Sequence, residues 1–242
     1  MKVLLLIGIL MMVQELSFKE KQLQHQRVKG AYEEKEKIIQ QYFTAKGLPY
    51  KGFSLFIRAF KSEGTVEVWI KPSGGSAYTL LKSYPFCATS GELGPKRKEG
   101  DMQIPEGVYS LNHFNPQSNF HLSLGVSYPN ASDKILSDKK SPGSAIYIHG
   151  NCVTIGCIPI TDDKIKELYI LAVEARNNGQ KNIPLHIFPA KLSDSGIRTL
   201  ETNYSGSPHV EFWRNLKLVF DDFEKTKTLK NVKVNSRGEY YF

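Results

Sequence analysis

Cysteine is scarce in this chain: its 242 residues carry only three, Cys87, Cys152 and Cys157. So few, without paired ligand spacings, exclude a disulfide-built scaffold and argue against a structural zinc cluster. Long hydrophobic runs are missing too. The longest, Val3 to Val13 behind Met1-Lys2, falls well short of the roughly 20 apolar residues of a membrane span. Its charged start and brief apolar core instead have the form of a secretory leader, ending near Leu16-Ser17-Phe18 or kept as an amino-terminal inner-membrane tether. Internal repeats and low-complexity tracts are absent. The net charge of +8 comes from scattered lysines, with short clusters at Lys96-Arg97-Lys98 and from Lys225 to Lys233. No aromatic-interleaved stripe or nucleic-acid motif accompanies it, so no nucleic-acid partner is expected. A solvated surface accounts for most of that charge, and an envelope polymer bearing free carboxylates would suit the rest.

What is present is enough apolar residue, 40% of the chain with 11% aromatic, to bury one good core. Val28, Ala31, Tyr32, Ile38, Ile39, Tyr42 and Phe43 recur at helical spacing before Gly47-Leu48-Pro49. From Phe53 the period changes. Phe53 to Phe60 is a dense apolar run, Val66 to Ile70 alternates, and Lys61-Ser62-Glu63-Gly64 between them reads as a hairpin turn. Further strands are expected at Ala77–Lys82, Gly107–Leu111, Phe120–Val126, Ala145–His149 and Pro184–Phe188. A helix capped at Thr161 or Asp162 carries Ile165, Leu168, Tyr169, Ala172 and Val173 on one face, and another carries Phe212, Trp213, Leu216, Val219, Phe220 and Phe223. The fold class expected is mainly β with flanking helices. The organisation expected is a leader or anchor over 1–17, a helical segment over 18–50, a mainly β domain over 51–190 and a helical extension over 191–242 packed on it.

The chemistry concentrates in Ile148-His149-Gly150-Asn151-Cys152-Val153-Thr154-Ile155-Gly156-Cys157-Ile158-Pro159. A cysteine attacks as thiolate, so an imidazole that takes its proton and a glycine that admits a substrate backbone are the companions it needs. If His149 ends a strand, the intervening residues can double back and bring Cys157 into its reach. The coming helix can then lend its amino terminus to a thiolate, and amides around Gly156 and Cys157 can face an oxyanion. Acyl transfer through a thioester follows, with His149 as base and then acid. Three other readings compete: a buried pair with no chemistry, a Cys152–Cys157 bridge that leaves Cys87 free, and a metal held by His149, Cys152 and Cys157 with His121 or His186. No metal or cofactor is expected.

Tyr147-Ile148-His149-Gly150 followed by Thr154-Ile155-Gly156-Cys157 resembles the signature of the YkuD-type L,D-transpeptidases, and Ile158-Pro159-Ile160-Thr161-Asp162 resembles their YafK-like branch. Gly94-Pro95-Lys96, Gly100-Asp101 and Ile104-Pro105-Glu106-Gly107-Val108-Tyr109 are similar to upstream family segments, as is Phe120 to Leu124 with Val126 to Asn130. The resemblance implies a β-sandwich or barrel catalytic domain in the periplasm or cell envelope, with Cys157 as nucleophile and His149 as base. Its substrates would be peptidoglycan stem peptides, cut beside diaminopimelate with release of D-alanine. The Gly150 carbonyl is the candidate to orient the imidazole, since a backbone acceptor can fill that role without an aspartate. Two departures stand out. Ile155 occupies the position of a second family histidine, and Pro159 that of a frequent arginine or asparagine. Amine and water remain open as acceptors, so a transpeptidase, a carboxypeptidase and an amidase share one acyl-enzyme, and a catalytically idle wall-binding module is the reading from outside enzymology.

Other residues are candidates for substrate contact. Arg58 and Lys61 could hold a stem carboxylate, or lie on a solvated strand face. Tyr128 and Asn130 could line the groove, or serve a turn around Pro129. Cys152 is expected to pack within its loop, with a reversible bridge to Cys157 as the alternative.

Overall fold

The run Phe53-Ser54-Leu55-Phe56-Ile57-Arg58-Ala59-Phe60 has too many apolar positions for a strand with one wet face, and a computed structural model, which describes residues 15–242, shows why. This strand, β1 (Phe53–Phe60), lies inside an eight-stranded sheet and is covered on both faces. Leu55, Ile57 and Ala59 point into the main core, whereas Phe56 and Phe60 point into aromatic clusters on the other side. Its hairpin partner β2 (Thr65–Pro72) pairs antiparallel from Phe53↔Pro72 to Phe60↔Thr65, and β3 (Thr79–Pro85) follows antiparallel at the edge.

The sheet grows from the other side of β1 by long-range pairing. Strands β4 (Gly107–Asn115), β5 (Ser123–Val126), β6 (Tyr147–His149), β7 (Ile158–Pro159) and β8 (Ile183–Phe188) complete the order β3-β2-β1-β8-β4-β5-β6-β7. The β1–β8 and β6–β7 pairs are parallel, and the other neighbours are antiparallel. Although β3 and β7 stand at opposite ends of the order, the Cys87 N–H just past β3 donates to the Pro159 carbonyl of β7 at 3.0 Å. The sheet therefore curls until its edges meet. At that seam Cys87 is bonded to Cys152, with Cα atoms 5.2 Å apart.

Helices cover both faces. Of the helices before the site, α1 (Phe18–Leu23) and α2 (Gln26–Ala45) lie outside α4 (Asp162–Asn177), while the short α3 (Ala131–Leu136) follows β5. On α2 the residues Val28, Ala31, Tyr32, Ile39 and Phe43 are buried, and the Tyr32 hydroxyl donates to Glu174 of α4 at 2.8 Å. α4 buries an unbroken stretch from Glu167 to Ala175 and fills the concavity of the sheet. On the far side, α5 (Asp194–Asn203) and α6 (His209–Thr226) pack onto Phe60 and Phe188 through Ile197, Leu200, Trp213, Leu216 and Phe220, each large side chain contributing about 2 kcal/mol of burial. The chain closes with the hairpin β9 (Lys233–Val234) and β10 (Tyr240–Tyr241).

The fold is thus mainly β around a curled sheet with flanking helices, as the sequence led one to expect. Among the described residues no helix is long and apolar enough to cross a membrane. Most of the expected leader, residues 1–14, lies outside the described residues. Two alternatives weighed for the cysteines are overturned, and the expected loop packing of Cys152 gives way to a bridge. Cys152 pairs with Cys87 rather than with Cys157, which is free, and this removes Cys152 from any metal set. Sheet curl brings Cys87 to it from 65 positions away.

Candidate active site

The parallel ladder between β6 and β7 sets the site. Ile148 faces Ile158 and His149 faces Pro159, so Cys157, immediately before β7, falls beside Tyr147. His149 and Cys157 therefore share one face of the sheet as diagonal neighbours. The turn between them is built for a sharp reversal. Asn151 sits at φ +61°, its N–H donates to the Asp162 carboxylate at 2.7 Å, and the disulfide pins Cys152. Gly156 takes φ +133°, where a side chain is strained, and a Cβ there would sit tightly at 3.0 Å from the Gln103 carbonyl oxygen.

His149 is 1% exposed. Its Nδ1 lies 2.5 Å from the Gly150 carbonyl oxygen, which can only accept, so Nδ1 carries the proton and Nε2 is left with the lone pair. The Phe120 ring stacks on the imidazole at 4.6 Å and 29°. Burial holds the imidazole below its ordinary pKa, with the Gly150 carbonyl acting in the opposite sense. Burial also pushes the Cys157 thiol up, against the pull of the Tyr147 N–H and of the Lys96 charge. Both shifts favour a neutral pair at rest. Neither direction favours the helix-stabilised thiolate expected from the sequence. Cys157 lies ahead of the α4 cap residue Thr161, and the Asp162 carboxylate occupies the first turn of that helix.

Of the glycines expected to contribute backbone groups, Gly150 contributes its carbonyl, while its N–H donates to Leu122 O at 3.2 Å. The Gly156 N–H is taken by the Thr154 hydroxyl at 3.1 Å, and that hydroxyl donates to Cys157 O at 2.8 Å. Gly156 therefore shapes the turn and does not offer an oxyanion donor in this state.

The four expected substrate contacts are each engaged by partners within the protein. Arg58 is 3% exposed, pairs with Glu67 at 2.7 Å and Glu224 at 2.6 Å, and lies under the rings of Trp69 and Phe223. Lys61 is buried as well, donating to Glu106 at 2.9 Å and to the carbonyls of Gly94 and Ile104. Glu106 also accepts from the Gly94 N–H and from Trp213 Nε1, both at 2.7 Å, which ties α6 to the Gly94-Pro95-Lys96 segment. Tyr128 is buried with its hydroxyl on Pro142 O at 2.7 Å. Asn130 caps α3 in a reciprocal box with Asp133 and donates to Val108 O. Sequence reading missed Phe120, Lys96 and the Tyr147 amide as neighbours of the pair. The first two stood in family-like segments, whereas the amide left no signal. Among the exposed large apolar side chains are Phe120 on the imidazole and Val153 and Ile155 of the turn, Ile155 at 78%, while Asn151 and Asp162 beside them are also exposed.

A buried, carbonyl-oriented imidazole and a half-buried thiol, its Sγ 3.8 Å from the Ala145 carbonyl oxygen, thus lie on one face of a curled sheet. The L,D-transpeptidase catalytic domain family YkuD matches residues 57–178, and the chain belongs to that family. It is similar to YafK of Escherichia coli strain K12, named provisionally as an L,D-transpeptidase, with 34% identity over 185 residues, 76% of this chain and 72% of YafK. Among solved structures, the helical cell shape determining protein Pgp2 of Campylobacter jejuni overlaps 78% of this chain and 75% of its own, at 18% identity and a TM-score of 0.45. Bd1075 of Bdellovibrio bacteriovorus overlaps 72% of this chain and 62% of its own, at 26% identity and a TM-score of 0.41.

Proposed function

We propose that the chain is a cell-envelope cysteine enzyme that acts on peptidoglycan stem peptides by acyl transfer through a Cys157 thioester, as an L,D-transpeptidase. The observation that carries this reading is the His149 Nδ1 contact with the Gly150 carbonyl, which frees Nε2 on the face that Cys157 shares. In the first half-reaction the thiol gives its proton to Nε2 as Sγ attacks the carbonyl on the diaminopimelate side of the scissile bond. The C–N bond breaks, the imidazolium returns the proton to the departing D-alanine amine, and a thioester remains. In the second half an amine gives a proton to His149 and displaces the thiol. Water at that step would make the same site a carboxypeptidase or amidase. Within this reading residues 51–190 form the catalytic domain, and 18–50 and 191–242 are helical additions. A disulfide beside the site suits an oxidising compartment, and so supports export to the envelope.

The test is mass spectrometry of products from a defined tetrapeptide muropeptide, with and without an amine acceptor. D-Alanine release that disappears in Cys157→Ala, with the fold retained, is the expected result. Turnover unchanged in that variant would refute the reading, and product masses decide between amine and water.

A further inference from the structure

We propose that Phe120 is a positioning residue for the His149 imidazole, and that Arg27, reaching across from α2, holds Phe120 in place. This rests on the assignment of His149 as the base. The segment from Ser118 to Leu122 forms a hook beside the site. One guanidinium nitrogen of Arg27 donates to two of its carbonyls, Ser118 O at 2.5 Å and His121 O at 2.8 Å, which bracket Phe120. Inside the hook the Phe120 N–H donates to the Ser118 hydroxyl at 3.1 Å, and His121 takes φ +69°, a conformation that costs a non-glycine residue free energy unless its surroundings enforce it.

The hook touches the base in two ways. The Phe120 ring stacks on the imidazole while remaining 39% exposed on its outer side. Its backbone presses on Gly150, where a Cβ would meet Phe120 O at 2.9 Å and His121 Cβ at 3.1 Å, and the Gly150 N–H is bonded to Leu122 O. Ring plane and orienting carbonyl are thus both set by a turn that Arg27 closes. The α2 residues that pack into the core are others, among them Val28, Ala31 and Ile39, so removing the exposed Arg27 side chain leaves the helix seated.

Apolar cover keeps water from the imidazole, and uncovering it returns the ring toward its ordinary basicity. The groups facing His149 from neighbouring elements are Cys157 before β7, Asp162 of α4 behind Gly150, and His121 of the hook, with Lys96 acting on Cys157. Arg27→Ala also removes a positive charge that helps hold His121 down, whereas Phe120→Ala and Arg27→Lys keep that charge.

The readouts are the pH dependence of Cys157 alkylation by iodoacetamide and of D-alanine release. In the unmodified protein both should rise through an acid limb that His149→Ala abolishes. Arg27→Ala and Phe120→Ala should move that limb to higher pH by about half a unit, and lower kcat about tenfold at similar KM. Arg27→Lys, which keeps a donor, should recover most of the loss. Reduced activity with an unmoved limb in both alanine variants would make the hook merely structural and overturn the proposal, with the base assignment intact. Absence of a His149-dependent limb in the unmodified protein would remove the base assignment and this proposal together.

Discussion

Opening the Cys87–Cys152 bridge tests how the sheet is held closed. The bridge closes a loop spanning 65 positions, and the loop-closure entropy it removes from the unfolded chain amounts to about 4 kcal/mol at 25 °C. Cys152 is exposed and Cys87 only partly buried, so a Cys87→Ser/Cys152→Ser double variant loses little packing, and its stability change reports the cross-link itself. For a chain of this size that loss corresponds to a fall in Tm on the order of 10 °C. The assay is urea unfolding of the oxidised protein against the double variant, followed by tryptophan fluorescence, with Tm by calorimetry. A second effect is local. The bridge pins the turn between His149 and Cys157, so kcat for D-alanine release should fall in the variant while KM changes little. A stability difference under about 1 kcal/mol would refute the entropic argument and mean that the edge contact between Cys87 N–H and Pro159 O closes the sheet unaided.

Other substitutions separate structure from chemistry. Arg58→Ala leaves the buried Glu67 carboxylate without its guanidinium and should cost about 3–5 kcal/mol by urea unfolding, yet leave KM of the folded protein unchanged, because Arg58 does not reach the site. Gly156→Ala puts a Cβ at φ +133° against the Gln103 carbonyl, and should lower kcat at least tenfold in the D-alanine assay by displacing the turn that carries Cys157. Burial, with the Arg58 charge acting in the same direction, holds His186 down at about 3, and its Nδ1 has no partner between Phe56 and Phe188. Because the unfolded chain binds that proton near the ordinary histidine value, its contribution is intact above about pH 6.5 and is lost as pH falls toward 3, at up to about 1.4 kcal/mol per unit. His186→Phe should flatten that slope in pH-dependent urea unfolding, where the difference from the unmodified protein cancels the carboxylates common to both; an unchanged slope would show that His186 is not the group responsible.

Much of the scaffold was legible because its elements repeat at their own period. The α2, α4 and α6 stripes and the β1–β2 hairpin announced themselves in this way. Period alone was silent on what covers a second face. Arg58 looked like the solvated position in β1, whereas α6 brings Glu224 and Phe223 over it and turns it into a buried ion pair. The helix α5 escaped notice because only Ile197 and Leu200 are buried in it, too few to mark a stripe. At α3 the signal was present in the Asn130–Asp133 capping box, but six residues are too short for periodicity to support it. Residues 120–122 read as the start of β5, since Phe120 and Leu122 alternate like strand residues; the positive φ of His121 bends them into a hook instead. That His149 and Cys157 share one sheet face followed from one short reversal, while the Cys87–Cys152 pairing depends on sheet curl that no local spacing encodes.

The Gly150 carbonyl also bears on the free thiol that stands five positions from a disulfide-bonded cysteine. An aspartate in that place would add a negative charge beside the imidazole, raise its basicity and favour a standing thiolate–imidazolium pair. A neutral carbonyl orients the ring without that charge, and burial then lowers the imidazole and raises the thiol. Thiol–disulfide exchange proceeds through the thiolate, so a small resting thiolate fraction slows attack by Cys157 on Cys152 and slows its oxidation. In the proposed acyl transfer the thiol would lose its proton as Sγ closes on a substrate carbonyl, with the Nε2 lone pair as its acceptor. Within that proposal the two shifts place proton transfer from Cys157 to His149 at the moment of attack, and the orientation of the ring, rather than its charge at rest, becomes the quantity the surrounding fold has to control.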